Sequence, residues 1–338
     1  MNTPLSRPSP PQGGKGLPTP SIDFGISIDQ AYNNPMLPSL RQLHYLKLLA
    51  EHGSFSRAAE AAHVTQPTLS AGIQELEKIL GAPVVDRARS GVILTAVGED
   101  AVRRGGEILA QAEDLVQAAK STGQPLSGRF RLGVIPTIAP FLLPRVLPLL
   151  RTRFPKLRLF LREDMTAKLV VALKSGALDA ALIALPYDTT GLRTARVGDD
   201  ELMAALPPGH HLGHGGPVSM DHIDSDDLIL LEDGHCLRDH ALSSCGLEPP
   251  KANSKTGESH FAATSLHTLV QMVGSGLGVS LLPAMAVESG LAERASVTIR
   301  PVGLTGEDRP PSREIVVAWR AGSSRAVEGR LLAEALRV

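Results

Sequence analysis

Two cysteines, Cys236 and Cys245, are the residues whose type and spacing point most directly to chemistry. They lie nine positions apart and are the only cysteines in the 338-residue sequence. A thiolate is a strong nucleophile and metal ligand, and the thiol pKa, about 8.5 in a free cysteine, sets its abundance. A permanent disulfide has no role in a reducing cytoplasm. The pair is therefore interpreted as two inert buried thiols, half of a metal site, or a pair that reacts.

The neighbours of Cys236 offer charge and hydrogen bonds. Both His235 and Arg238 can supply positive charge to a thiolate, and Asp239 can orient Arg238. At the end of a predicted strand, where open α/β sheets place their ligands, Thr137 offers a hydroxyl. Three of these residues have a purely structural alternative: His235 as a hydrogen-bonded loop histidine, Arg238 as a surface arginine and Thr137 as a helix N-cap.

The spacing of the two cysteines implies a conformational switch if they react together. On one helix, nine steps of about 1.5 Å separate the two Cα atoms by roughly 13 Å, whereas a disulfide needs less than about 7 Å. Such a bond can form only if the helix melts. Closing a ten-residue loop is worth roughly 3 kcal/mol, similar to burying one or two leucines, so the two arrangements can lie near balance.

Length and composition are those of a globular protein with two or three domains. Apolar residues make up 43% of the sequence and charged residues 20%, which excludes whole-chain disorder. Lys and Arg number 34 against 35 Asp and Glu, so contact with nucleic acid must use a local patch. Residues 1–36 are rich in Pro and Gly and are expected to be a disordered tail. Without a membrane span or secretory signal, we expect a cytoplasmic protein with no membrane contact.

Residues 37–95 are predicted to form a winged helix-turn-helix domain. Helical periodicity and caps indicate a helix over 40–53, a short one N-capped by Ser56, and a third over 65–81, before a strand-turn-strand wing over 84–95. In this arrangement the last helix enters the major groove of DNA. The alternative is a helical subdomain whose polar face only meets water. The residues expected to contact DNA are Arg57, Gln66, Pro67, Thr68, Ser70, Gln74, Arg87, Arg89 and Ser90.

Residues 96–124 are predicted to be a long linker helix that dimerises. Small or apolar residues recur at alternating steps of four and three, which is typical of a coiled-coil seam. The alternative is a helix packed on its own domain. A two-fold axis here would place two recognition helices about one turn of DNA apart. The seam residues are Ala101, Gly105, Ile108, Ala112, Leu115 and Ala119.

Residues 125–338 are predicted to form an α/β regulatory domain with doubly wound sheets. Strands and helices alternate between residues 130 and 185 as βαβαβ, and a similar run follows from 202 to 282. Two lobes are expected, and a last strand–helix pair over 315–336 is predicted to complete the first of them. The expected boundaries are 128–200 and 306–338 for lobe I and 201–305 for lobe II.

In this order of elements, the chain resembles the LysR-type transcriptional regulators over residues 39–338. The resemblance is carried by residues 54–59 (SFSRAA) and 65–70 (TQPTLS), which are similar to the DNA-reading signature of the family. It implies a two-lobed regulatory domain like the periplasmic binding proteins, and a regulator rather than an enzyme.

Around the cysteines the chain resembles the hydrogen-peroxide sensors of that family. Matching segments are 135–137 (IPT), 231–239 (LEDGHCLRD), 260–266 and 281–284 (LLPA), whereas 246–250 departs from the pattern. The resemblance implies that peroxide oxidises Cys236, and that an intramolecular disulfide with Cys245 switches dimer packing and activates antioxidant genes. The residues implied to surround the sulfur are Thr137, Thr166, His235, Arg238, Asp239 and Arg313.

The same resemblance implies the partners. They are promoter DNA, hydrogen peroxide, further copies of the chain in a homodimer or tetramer, RNA polymerase and a thiol reductant. No cofactor and no metal are implied.

Three other functions remain open at this point. A regulator of the same fold could bind a small organic effector between the lobes, with both thiols incidental. A thiol peroxidase would have no use for a DNA-binding half. A metal sensor would draw on the cysteines and a group of histidines, but their spacing fits no strong zinc pattern. Those histidines are His210, His211, His214, His235 and His240.

Overall fold

The computed structural model describes residues 37–88, 91–120, 125–224, 227–244, 262–303 and 310–337. The expected disordered tail over 1–36 and the proposed lobe boundary near 306 lie outside these ranges. Ser39–Val338 forms one compact unit.

The N-terminal part is the expected three helices and a β-hairpin. The elements are α1 (Leu40–His52), α2 (Phe55–Ala61), α3 (Gln66–Leu80), β1 (Val85–Ala88) and β2 (Gly91–Leu94). The Thr65 side chain accepts a hydrogen bond from the backbone N–H of Thr68 and caps α3, as predicted. The predicted N-cap Ser56 is wrong, because α2 begins one residue before it and Ser54 occupies the cap position. The Ser56 hydroxyl instead donates to Gln66 at 3.1 Å, joining α2 to α3.

The long helix α4 (Ala96–Lys120) follows the hairpin. Its first turns pack on the helical domain, where Ala101, Val102 and Leu109 contact a core that includes Leu46 and Leu69. Burial of this apolar stripe fixes α4 against α1.

The regulatory part begins with the predicted βαβαβ unit. It comprises β3 (Gly128–Val134), α5 (Ala139–Arg153), β4 (Leu157–Glu163), α6 (Thr166–Lys174) and β5 (Ala180–Leu185). Strand β3 pairs in parallel with both β4 and β5. Helices of this unit pack against the sheet around Phe130, Leu132 and Leu169, all buried.

The remainder contains one long strand, β6 (Leu192–Leu206), which the sequence pattern did not predict at this length. The other elements are β7 (Leu230–Leu231), α7 (Cys236–Ser244), β8 (Ala262–Ala263), α8 (Leu266–Gly274), β9 (Ser280–Pro283), α9 (Ala284–Glu288), β10 (Thr298–Pro301), β11 (Ser312–Arg320) and α10 (Ala326–Ala335).

Strand β6 connects two groups of strands by changing partners along its length. Its first part pairs antiparallel with β11, from Leu192 to Glu201. From Leu202 onward it pairs with β9 on one side and β10 on the other. The strand order is β10-β6-β11-β5-β3-β4, with β9 also on β6. The α/β class is confirmed, and the exact doubly wound pattern is modified by these antiparallel crossings.

Candidate functional site

The candidate site forms where α7 and α6 begin. Cys236 is the first residue of α7 and Thr166 the first of α6. The Cys236 thiol donates to the Thr166 hydroxyl oxygen, with 2.8 Å between Sγ and Oγ1. Both side chains are buried. The structure thus brings together two residues that are 70 positions apart in the sequence.

Burial raises the pKa of the Cys236 thiol above its usual value. The hydrogen bond to Thr166 and the charge of Arg313 act in the opposite direction, while the Asp239 carboxylate adds to the increase. Desolvation disfavours the charged thiolate, and burial has the largest effect here. The thiol is therefore protonated in this state at neutral pH.

Arg313 supplies the positive charge of the site. It lies on β11 with 1% of its surface exposed. Its Nη1 donates to the Thr137 hydroxyl at 2.8 Å, and its Nη2 donates to the Thr137 carbonyl oxygen at 3.0 Å. The guanidinium thus holds Thr137, which follows β3, beside the start of β11.

Asp200 is a buried site residue that the sequence analysis missed. Its Oδ2 accepts from Arg313 Nε at 3.0 Å and Nη2 at 2.8 Å, and its Oδ1 accepts from the Met285 backbone N–H at 3.0 Å. A signal existed, because Asp200 shares the buried face of β6 with Leu202 and Ala204 at alternating positions. The predicted strand started only at residue 202, so Asp200 lay outside it.

The expectation that His235 supplies positive charge is wrong. The side chain is buried, and desolvation lowers its pKa below the usual value of 6.5, despite its bond to the Thr264 backbone. The imidazole is consequently neutral at pH 7. His240, on the next turn of α7, is also buried with a lowered pKa, and its Nε2 lies 3.0 Å from the Pro186 carbonyl oxygen.

Arg238 and Asp239 do not form the expected pair. Arg238 instead makes an ion pair with Asp233, with 2.8 Å between Nη1 and Oδ1, and the Asp233 side chain is 92% exposed. Asp239 is exposed at the outer side of α7. The reason is helical geometry: adjacent residues point about 100° apart, so Arg238 reaches back towards the preceding turn. The partner cysteine, Cys245, lies outside the described residues, as does His260.

The predicted DNA-contacting residues on α2 and α3 lie at the surface. Arg57, Gln66, Pro67, Thr68 and Gln74 are exposed, and Ser70 is half-buried. Arg87 lies on β1, while Arg89 and Ser90 lie outside the described residues.

The predicted seam of α4 is divided between two environments. Ala101 packs on the helical domain of the same chain, and Gly105 is buried against Leu43. Further along, Ile108 and Leu115 are 47% and 73% exposed. The other two seam residues, Ala112 and Ala119, are half-buried and exposed, respectively. The first half of α4 therefore packs on its own chain, as in the alternative prediction, whereas its second half exposes the apolar side chains expected of a dimerising helix.

Family comparisons agree with this architecture. Residues 40–99 match the bacterial regulatory helix-turn-helix proteins of the lysR family, and residues 123–337 match the LysR substrate binding domain. The chain belongs to the LysR family of transcriptional regulators. Among the residues that the structure describes, no helix has the length and hydrophobicity to cross a membrane. The same residues contain no group of three or more His, Cys, Asp or Glu placed to hold a metal ion.

Within the LysR family, several relatives are similar over most of their length. The regulator EstR of Acinetobacter baylyi is 44% identical over 254 residues, 75% of this chain and 82% of EstR. The DNA-binding transcriptional dual regulator OxyR of Escherichia coli is 37% identical over 299 residues, 88% of this chain and 95% of OxyR. Other relatives carry the name hydrogen peroxide-inducible genes activator, such as that of Pectobacterium carotovorum at 36% identity over 88% of this chain and 96% of that protein.

Solved structures of OxyR are similar to the fold. A full-length cysteine-to-aspartate variant from Pseudomonas aeruginosa has a TM-score of 0.72 at 33% identity, covering 89% of this chain and 98% of that one. A cysteine-to-serine variant from Corynebacterium glutamicum, with hydrogen peroxide bound, has a TM-score of 0.59 at 30% identity, covering 89% and 92%. The chain is thus homologous to the OxyR proteins in sequence and in structure.

Proposed function

We propose that the chain is a DNA-binding transcriptional regulator that responds to hydrogen peroxide through Cys236. The observation that carries the proposal is the buried Cys236 thiol bonded to Thr166 and placed within the field of Arg313. Homology to OxyR supports it, since a peroxide-bound OxyR variant is among the similar structures. Because its homologues are transcriptional regulators, the chain is not expected to be an enzyme.

The chemistry consumes one peroxide and two thiols. The Cys236 thiolate attacks one peroxide oxygen, an S–O bond forms, the O–O bond breaks, and the other oxygen leaves as hydroxide that takes up the thiol proton to become water. The Thr166 hydroxyl and the Arg313 guanidinium stabilise the charge that develops. The Cys245 thiolate then attacks the sulfur of the Cys236 sulfenic acid, the S–S bond forms and the S–O bond breaks, and the hydroxide that leaves takes up the Cys245 proton to become a second water. A cellular thiol reductant restores both thiols.

Helix α7 would make this disulfide step a conformational switch. Cys236 and Ser244 are the ends of α7, and eight steps of about 1.5 Å separate their Cα atoms by roughly 12 Å. A disulfide requires less than about 7 Å between Cα atoms, and one further residue adds or removes only about 3.8 Å. The Cys236–Cys245 disulfide therefore requires part of α7 to unwind.

Two elements extend from the thiol to the linker helix. Helix α6 starts with Thr166, and just beyond its end Gly176 lies so close to Ala110 of α4 that a Cβ there would clash. Strand β11 carries Arg313 near its start, and Arg320 at its end pairs with Asp114 of α4. Because both connections are short and buried or half-buried, we propose that unwinding of α7 is transmitted to α4. This movement would change dimer packing and the contacts with DNA.

The proposed assembly is a cytoplasmic homodimer, or a pair of dimers, on promoter DNA. The exposed polar face of α3 and Arg57 would contact the major groove and phosphates, and the wing residues Arg87, Arg89 and Ser90 would contact the backbone. The exposed half of α4, with Ile108, Leu115 and Ala119, would contribute to the dimer. In the oxidised state this assembly would recruit RNA polymerase to antioxidant genes.

The decisive experiment treats the purified full chain with hydrogen peroxide and follows free thiols, the mass of the peptide with both cysteines, and the DNA footprint. Wild type should lose two thiols, gain the disulfide and change its footprint. Cys236→Ser should bind DNA but show no change, and Cys245→Ser should form a sulfenic acid without the disulfide. A Cys236→Ser footprint that still responds to peroxide contradicts the proposal. If wild type forms no disulfide while small organic molecules alter its footprint, an effector-binding regulator is favoured instead.

A further inference from the structure

Asp200 is the buried counter-ion of Arg313. The two residues face each other directly across the β6–β11 pairing, and their side chains are 2% and 0% exposed. Arg313 donates twice to one carboxylate oxygen of Asp200, and the other oxygen accepts from the Met285 backbone. Every oxygen of the carboxylate is thus engaged, and the guanidinium cannot rotate without breaking a charge-assisted hydrogen bond.

Helix α7, which begins with Cys236, packs on β11, the strand that carries Arg313. The Nη1 and Nη2 of Arg313 donate to Thr137, and its charge favours ionisation of Cys236. The other charged group that acts on Cys236 is Asp239, and ionisation of Cys236 in turn disfavours that of Tyr187. Because Asp239 is exposed, solvent screens it, whereas the Arg313–Asp200 pair is dry and weakly screened.

We propose that Asp200 is a positioning residue of the thiol site, which fixes the Arg313 guanidinium and offsets part of its charge at the Cys236 sulfur. The Arg313–Asp200 pair would thereby limit how far the charge of Arg313 increases the reactivity of the reduced Cys236 thiol. This inference rests on the proposed function for its biological meaning, but the electrostatic relation is a property of the folded chain and can be measured without peroxide.

The test titrates the Cys236 thiolate by its ultraviolet absorbance in full-length Cys245→Ser protein, which contains one cysteine. The same protein with Cys236→Ser supplies the tyrosine background. Asp200→Asn, which is nearly isosteric, should lower the thiol pKa by about one unit, a roughly tenfold increase in thiolate at neutral pH. Arg313→Gln should raise the thiol pKa, and Asp200→Glu should leave it close to that of the parent.

The double variant Asp200→Asn/Arg313→Gln distinguishes charge from structural damage. Removing one member of a buried pair destabilises a protein strongly, whereas removing both does not leave an unpaired charge. We expect the double variant to reverse most of the increase in thiol pKa that Arg313→Gln causes alone. If it does not, or if both single variants shift the pKa in the same direction, the inference is wrong. Should Asp200→Asn fail to fold, Arg313→Gln and the double variant still decide.

Failure of this inference is distinguishable from failure of the proposed function. In the chain with both cysteines, peroxide treatment and the mass of the linked peptide report on the disulfide alone. A disulfide with no opposing pKa shifts would refute the role of Asp200 and leave peroxide sensing intact. Opposing pKa shifts in the two single variants, without a disulfide after peroxide treatment, would support the role of Asp200 and refute the proposed disulfide switch.

Discussion

The Cys236 thiol donates a hydrogen bond to the hydroxyl oxygen of Thr166, with 2.8 Å between Sγ and Oγ1. This hydrogen bond joins the first residue of α7 to the first residue of α6, two helices that are separated by 70 positions in the sequence. Helix α6 also packs on α4, the helix that follows the DNA-binding domain, so α6 contacts both the thiol and the linker helix.

Replacing Thr166 with valine should slow oxidation of Cys236. The Thr166 hydroxyl favours the ionised thiol, because it can turn and donate to the thiolate, and its contact lowers the pKa of Cys236. Without it the pKa should rise further, and the rate of sulfenic acid formation at neutral pH should fall by roughly threefold to tenfold. Stopped-flow oxidation with peroxide measures the rate. Thr166→Ser keeps the hydroxyl and should retain most of the wild-type oxidation rate. Equal rates in the valine and serine variants would argue against a role of the hydroxyl.

Stability of the regulatory part should fall as the pH drops below about 6.5. Burial lowers the pKa of both His235 and His240, so the unfolded state binds protons at a higher pH than the folded state. The unfolding free energy then decreases with falling pH, by up to about 1.4 kcal/mol per pH unit for each histidine. The loss ends once the pH is below the folded-state pKa.

Urea unfolding at several pH values measures this dependence. His240→Gln should remove the contribution of one histidine to the pH dependence of the unfolding free energy. His44→Gln, at an exposed position of α1, should leave that dependence unchanged. Identical slopes for wild type and His240→Gln would show that the histidine is not protonated on unfolding.

The Arg320–Asp114 ion pair should be needed for coupling but not for thiol chemistry. Arg320 also donates to the carbonyl oxygens of Leu173 at 3.3 Å and Ala110 at 3.5 Å, so it links the end of α6 to α4. Arg320→Gln should leave the oxidation rate of Cys236 unchanged but reduce the change in DNA footprint after oxidation. Hydrogen exchange over residues 106–114 should increase, because the helix loses an anchor.

A matched control is Arg330→Gln, which changes an exposed arginine of α10. It should leave the footprint and the exchange of α4 as in wild type. A full footprint response in Arg320→Gln would mean that coupling takes a different route.

Two exposed residues of the helix-turn-helix should affect DNA binding in different ways. Gln74→Ala on α3 should weaken binding to the specific site by about 1–3 kcal/mol and relax its sequence preference, if the amide reads a base edge. Arg57→Ala should weaken binding to all sequences and reduce the salt dependence by about one phosphate contact. Fluorescence anisotropy at several salt concentrations separates the two effects, and unfolding curves should match wild type because both side chains are exposed. Equal losses on specific and random DNA for Gln74→Ala would exclude base readout there.

Local pattern was sufficient for most helices and for the strands of the first lobe. Helix α3 is determined by features that lie in or next to it. These are the Thr65 cap, the apolar spacing of Leu69, Ile73 and Leu76, and the glycine after its last residue. Strand β5 ends at Leu185, where the predicted βαβαβ unit ends, and five of its six residues are buried, which gives a continuous apolar run. The part of β6 before Leu202 was missed, because charged residues interrupt it and its partner β11 lies more than 100 positions away.

Caps, periodicity and residue types are local properties, and they were enough to predict a cysteine pair, a helix-turn-helix and an α/β domain in one chain. The resemblance implied several neighbours of the sulfur, and the fold determines which of them act on it. Arg313 and Thr166 contribute, Asp200 accompanies them, and Arg238 turns away to Asp233. The physical reason is that the electrostatic field at Cys236 depends on distance and burial, which are set by strand pairing across 113 positions between Asp200 and Arg313 and not by adjacency in the chain.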